Sequence, residues 1–282
     1  MPFIDHEGAR LYWTEHGSGP PVLLIMGLSF THEMWYRTLP GLAGYRAILL
    51  DNRGMGRSSV PSGPYRIQQM ARDADAILTA AGVESAHVIG ASMGGMIAQE
   101  LALLRPHRVR TLLLACTTFS GVFGRWPDFR SARWVTGWKS SREEQDRLLA
   151  TLLYANTTPM SRIEEDIRIR SACLCSRDGF LNQFAGILLW NSYFRLPRIT
   201  APTLVMHGDQ DRLVPIQNGK VVARRIPGAR FEIIPNAGHI LTTDQPEMCR
   251  DRLVRFLNEH GEGAPAAMPS GMDRDLRGDT YR

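Results

Sequence analysis

Five short runs constrain the fold more than any other feature of this chain: residues 22–26, 46–51, 87–92, 111–118 and 203–208. Each is rich in Val, Ile and Leu and bounded by Gly, Pro or charged residues. A run that is apolar throughout, rather than at alternate positions, is the pattern of a strand buried on both faces of a parallel sheet. A sixth run, 231–235, follows the turn signal Pro227-Gly228. Before Val22 the polarity alternates around Gly8, which predicts an antiparallel hairpin at one edge of the sheet. The expected fold is therefore α/β, a mostly parallel eight-stranded sheet flanked by helices.

Helical patterns separate these runs. Ile67, Met70, Ala71, Ala74, Ile77, Leu78 and Ala81 recur at three- and four-residue steps, giving one apolar stripe to lay on a sheet, and Gly82 supplies a stop. Residues 93–104 read as a more fully buried helix that ends before Pro106. Right-handed crossovers bring the carboxyl ends of parallel strands to one edge, where ligands bind.

Between about 119 and 199 the alternation breaks, leaving helical stretches such as 143–154 and 163–175. Four of the six tryptophans fall here, Trp126, Trp134, Trp138 and Trp190. An insertion between strands of a parallel sheet reads as a helical cap over the ligand edge. The expected division is a core of 1–118 with 200–260, a cap of 119–199 and a flexible tail of 261–282, whose Gly-Ala-Pro composition cannot build a core.

Composition narrows the function classes. The net charge is +5, but the basic residues are interspersed with acids, as in Arg162-Ile163-Glu164-Glu165-Asp166. No clustered run suggests a nucleic-acid surface. No apolar run approaches the roughly 20 residues of a membrane span, and the start MPFIDHEGAR lacks a secretory pattern. Cys173-Leu174-Cys175 has the wrong spacing for a zinc knuckle, so the four cysteines are expected to be reduced and structural, as in a cytoplasmic protein. A dinucleotide site is equally unsupported: Gly54-Met55-Gly56 lacks the third glycine before a helix. No metal and no cofactor is expected.

The chemistry concentrates in Gly90-Ala91-Ser92-Met93-Gly94, a G-x-S-x-G motif where a strand meets a helix. A serine on such a turn has its hydroxyl exposed above the sheet, and the helix start directs free N–H groups toward developing negative charge. A serine hydroxyl is a weak nucleophile and needs an oriented base. The loop Gly208-Asp209-Gln210-Asp211 leaves a strand's carboxyl end and offers two acids. Gly238-His239 lies just beyond the last strand. Serine, acid, histidine is the chain order expected of such a triad on this fold.

With Asp51-Asn52-Arg53-Gly54-Met55-Gly56-Arg57-Ser58, these segments resemble the α/β-hydrolase superfamily from about residue 3 to about 260. The resemblance implies Ser92 as nucleophile, Asp211 rather than Asp209 as acid, and His239 as base. It also implies an oxyanion hole from the backbone N–H groups of Leu28 and Met93, where this chain has Met26-Gly27 in place of the His-Gly of many relatives. Within the superfamily, Ile25-Met26-Gly27-Leu28 with Trp35, and 91–99, are similar to the aclacinomycin methylesterase-like branch. Residues 60–65 are similar to 3-oxoadipate enol-lactonases.

The implied activity is hydrolysis of a carboxylic ester through an acyl-enzyme, on a small to medium apolar or aromatic substrate. A lactonase or carbon–carbon bond hydrolase would use the same triad, and a small-molecule receptor would keep the fold without turnover. His32, Trp126, Trp134 and Trp138 are candidate substrate contacts. The expected partners are a small ester or lactone and a second copy in a homodimer, with no nucleic acid and no membrane.

Overall fold

The computed structural model describes residues 3–125, 150–172 and 176–261. Eight strands form one sheet: β1 (Phe3–His6), β2 (Ala9–His16), β3 (Pro21–Ile25), β4 (Arg46–Leu50), β5 (Ala86–Ala91), β6 (Val109–Ala115), β7 (Thr203–Gly208) and β8 (Arg230–Ile234). Their order is β1-β2-β4-β3-β5-β6-β7-β8. β2 pairs antiparallel with β1 and β4, and every pair from β4 through β8 is parallel. The hairpin predicted around Gly8 is the β1–β2 turn, where Gly8 has φ 74°. The apolar runs are central for the reason anticipated: β7 is buried along its whole length, whereas β8, at the sheet edge, is mostly open.

One strand is shorter than its pattern suggests. The apolar run 111–118 contributes to the sheet only as far as Ala115, because Cys116 adopts φ 46° and turns the chain away.

Three described helices pack on one face, two of them early in the chain. α1 (Ile67–Ala80) buries Ile67, Met70, Ala71, Ala74, Ile77 and Leu78, and Gly82 follows with φ 68°. α2 (Met93–Leu104) is buried from Met93 to Ala102. The remaining described helices are α3 (Met160–Ala172), α4 (Arg177–Leu188), α5 (Gln217–Arg225), a single turn α6 (Leu241–Asp244) and α7 (Pro246–Glu259). The β3–β4 connection carries only two 3₁₀ turns, His32–Trp35 and Leu39–Leu42.

The core lies in two layers. One fills the space between the sheet and α1, α2; the other lies between the opposite face and α7 with the 3₁₀ turns. A third, smaller cluster holds Leu153, Tyr154 and Ile163. The β6–β7 connection, which includes α3 and α4, is tied to α2 through Glu100. Its carboxylate accepts a bidentate pair from Arg195 at 2.7 and 2.8 Å and the indole N–H of Trp190 at 2.8 Å. Among the described residues no helix is long and apolar enough to cross a membrane.

Candidate active site

β5 ends at Ala91 and α2 begins at Met93, so one residue reverses the chain. That residue, Ser92, has φ 54° and ψ −120°, a conformation costing a non-glycine residue about 1–3 kcal/mol. Neighbours hold it there: its N–H donates to Ala115 O at 2.8 Å, and its carbonyl accepts from Thr117 Oγ1 at 2.7 Å. The flanking glycines permit the approach. A Cβ on Gly94 would sit 2.0 Å from the Ile25 carbonyl oxygen, and one on Gly90 2.4 Å from that of Gly94.

Asp211 and His239 follow the ends of β7 and β8. His239 Nδ1 lies 2.9 Å from Asp211 Oδ2. A carboxylate only accepts, so Nδ1 carries the proton and Nε2 is left as the basic nitrogen. Asp211 Oδ1 accepts the N–H groups of Leu213 at 3.0 Å and Val214 at 2.8 Å. Behind it, His207 Nε2 lies 2.7 Å from Val214 O and 3.3 Å from Asp211 Oδ2, so it too is the protonated nitrogen. Burial works to raise the Asp211 pKa, but the charge of His239 and the hydrogen bonds from His207 and His239 outweigh it. The net effect holds Asp211 well below the ordinary carboxylate range. Asp209 does separate work: its Oδ1 accepts Ala237 N–H at 3.3 Å, bracing the loop before His239.

Two loops frame the space over Ser92. Gly27 packs against Ser92, where a Cβ would meet Ser92 Cβ at 2.9 Å. The Met26-Gly27-Leu28 loop is braced from the neighbouring strand end, since Asn52 Nδ2 donates to Met26 O at 2.9 Å. Met93, as the first residue of α2, presents an N–H that has no intrahelical acceptor. Leu28, Ser92 and His239 all line one cavity of about 200 Å³. Its walls are mainly apolar, and no Asp or Glu is among the described residues that line it.

A model of the alpha/beta hydrolase fold family matches residues 20–246. This chain belongs to the α/β-hydrolase family. A protein of Azorhizobium caulinodans that carries the name of a carbamate hydrolase is 32% identical over 265 residues, covering 92% of this chain and 99% of its own length. Among solved structures, an esterase from Exiguobacterium antarcticum superposes with TM-score 0.82 at 25% identity, covering 91% of this chain and 98% of that one. The enol-lactonase of Burkholderia xenovorans superposes with TM-score 0.81 at 23% identity, over 91% and 100% of the chains. That last is a likeness of fold alone.

Of the other predicted contacts of this α/β-hydrolase, His32 alone falls within the described residues. His32 is not among the cavity-lining residues. Its backbone N–H and ring Nδ1 both engage Asp51 Oδ1, at 3.0 and 2.8 Å, while Asp51 Oδ2 accepts Arg57 N–H at 2.9 Å. Its ring lies beside that of Tyr12, 5.2 Å between centroids. Trp126, Trp134 and Trp138 lie outside the described residues, as do Cys173, Cys175 and the tail from residue 262.

One trio among the described residues brings metal-type donors together: Cys116, His207 and Asp211, with ligand atoms within 4.8 Å of one another. Its geometry is that of hydrogen bonding. The Asp211 oxygens are engaged by two imidazoles and two amides, and burial pushes the Cys116 thiol well above its usual range, keeping it protonated. A protonated thiol is a poor ligand. The hydrolase also uses residues that the motifs do not mark. Thr117 and His207 support the site, the first by a contact 25 positions away and the second through a backbone carbonyl. Phe184, Met206 and Leu253 line the cavity from three separate elements. Only the extended apolar character of their runs hinted at them.

Proposed function

We propose that this α/β-hydrolase cleaves a carboxylic ester by a Ser-His-Asp acyl-enzyme mechanism. The observation that carries the reading is the strained Ser92, set at the floor of an apolar cavity that His239 also lines, with His239 Nδ1 held by ionised Asp211. His239 Nε2 takes the Ser92 proton as Oγ attacks the ester carbonyl carbon. The oxyanion that forms is received by the backbone N–H groups of Leu28 and Met93, each such donor contributing about 2.7–4 kcal/mol to the transition state. His239 then protonates the departing alkoxide. Water, deprotonated by the same nitrogen, attacks the acyl-enzyme and frees the acid. Asp211 fixes the tautomer and stabilises the imidazolium throughout.

The β6–β7 connection acts as a cap. Leu152, Leu153, Phe184 and Ile187 close the cavity over Ser92, and their character favours an apolar or aromatic group. Lactones and carbamates are opened by the same attack, but the mainly apolar walls favour an ester over a small polar carbamate. The reading extends to a cytoplasmic enzyme that needs no cofactor and acts on a small ester or lactone, alone or as a homodimer.

The test is hydrolysis of p-nitrophenyl esters of increasing acyl length by wild type and Ser92→Ala. The expected result is turnover in wild type and a loss of about 10⁶ in the variant. Equal activity in both removes Ser92 as nucleophile, and ligand binding without turnover of any ester, lactone or carbamate replaces the enzyme with a receptor.

A further inference from the structure

The cavity is not confined to the space above Ser92. Part of its wall belongs to the layer between the sheet and α7: Ile89, Leu113 and Met206 on the strands, facing Trp35 and Leu253. Close packing is the rule in such a layer, so a lobe of free space running into it is a built feature. A slot between a sheet face and a helix admits an unbranched arm more readily than a branched one.

Two polar groups in this lobe have no partner. Trp35 and Thr38 are each 3% exposed, both line the lobe, and neither Trp35 Nε1 nor Thr38 Oγ1 makes a hydrogen bond. They come from one 3₁₀ turn and its exit, joined by Thr38 N–H to Trp35 O at 2.8 Å. Phenylalanine and valine would fill these places without leaving a buried donor unmade, which is the costly state. Arg250 reaches the same lobe, but its stem packs near Gly41 and its guanidinium faces Glu247 at 3.7 Å.

We propose that the lobe is a subsite for an unbranched apolar arm of the substrate that ends in a neutral oxygen, a ketone or a hydroxyl, received by the Trp35 indole N–H and the Thr38 hydroxyl. The inference rests on the hydrolase reading above and names its substrate class. A neutral terminus is required because the surrounding wall is apolar, and burying a carboxylate there would be costly without a dedicated cation.

The test pairs p-nitrophenyl esters of unbranched acids of increasing length with their penultimate-keto counterparts and with ω-carboxylate counterparts. At the best length, wild type is expected to prefer the keto ester by about tenfold in kcat/KM, carried mainly by KM, the effect of one good hydrogen bond. In Trp35→Phe and in the near-isosteric Thr38→Val the preference falls toward one. A binding arm uses Ser92→Ala with ¹⁵N-labelled indoles: the methyl keto ester moves the Trp35 N–H resonance, and the plain methyl ester does not. Ester turnover without a keto preference at any length overturns the subsite and leaves the esterase reading standing. A preference for the ω-carboxylate overturns the neutral terminus in favour of an anion held by Arg250. If no ester is turned over, the hydrolase reading fails and the indole resonance decides the lobe by itself, with equal shifts or none overturning it.

Discussion

Asp211 binds four donors with two oxygens, and in the proposed mechanism this saturation is what directs His239 as base. Asp211→Asn removes the charge and offers an amide N–H where His239 needs an acceptor. The expected loss is about 10⁴ in kcat with the fold intact, read from ester hydrolysis beside a circular-dichroism melt. Gly27 is the other residue whose role is set by tenths of an ångström. Gly27→Ala places a methyl 2.9 Å from Ser92 Cβ and 3.2 Å from Ala91 O. Misplacing the nucleophile or its loop by such a distance is expected to lower kcat/KM about 10²-fold. A Gly27→Ala enzyme with wild-type kinetics would show that the loop yields freely.

At the scale of elements, the β5–β6 pair carries a buried histidine as a register partner: His87 stands opposite Thr111, with Nδ1 2.8 Å from Thr111 Oγ1. Burial first, then the charges of Arg110 and His260, push its pKa down from 6.5 to about 4. Folded His87 therefore stays neutral in a range where the unfolded chain takes up a proton. Its contribution to stability is complete above about pH 6.5 and is lost as pH falls through about 4. Melting temperature measured across this window is expected to fall with acid in wild type. In His87→Gln the same curve should be flatter, and parallel curves would refute the assignment.

The whole molecule joins the β6–β7 connection to the histidine loop at two points. The N–H groups of His239 and Ile240 both donate to Leu153 O, at 2.7 and 3.0 Å. Asp244 accepts Gly238 N–H at 2.6 Å, Ala155 N–H at 3.3 Å and the Thr158 hydroxyl at 2.5 Å. A segment lining the cavity and His239, the proposed base, thus share one anchor. Asp244→Ala is expected to cost about 1–3 kcal/mol in urea unfolding for the donors it strands. It should also lower kcat/KM at least tenfold through His239. Loss of stability with unchanged kinetics would separate the two roles.

Much of this was legible from residue order. The all-apolar runs marked five strands, because a strand covered on both faces has no polar side to show, the turn signal Pro227-Gly228 marked a sixth, and the alternation around Gly8 marked the edge hairpin. Ser92, Asp211 and His239 stood out since each sits at a strand's carboxyl end in a loop of distinctive composition. Tertiary structure decided the rest. The left-handed Cys116 ended β6 three residues before the apolar run did, because the sheet's neighbours, not side-chain character, determine where a strand stops. His32 is held by Asp51, 19 positions away, a contact that no local pattern shows. The lobe behind the sheet has no local signal at all. Ile89, Leu113, Trp35 and Leu253 read as ordinary core, and whether core side chains meet or leave a gap depends on the spacing of layers joined only in the folded chain.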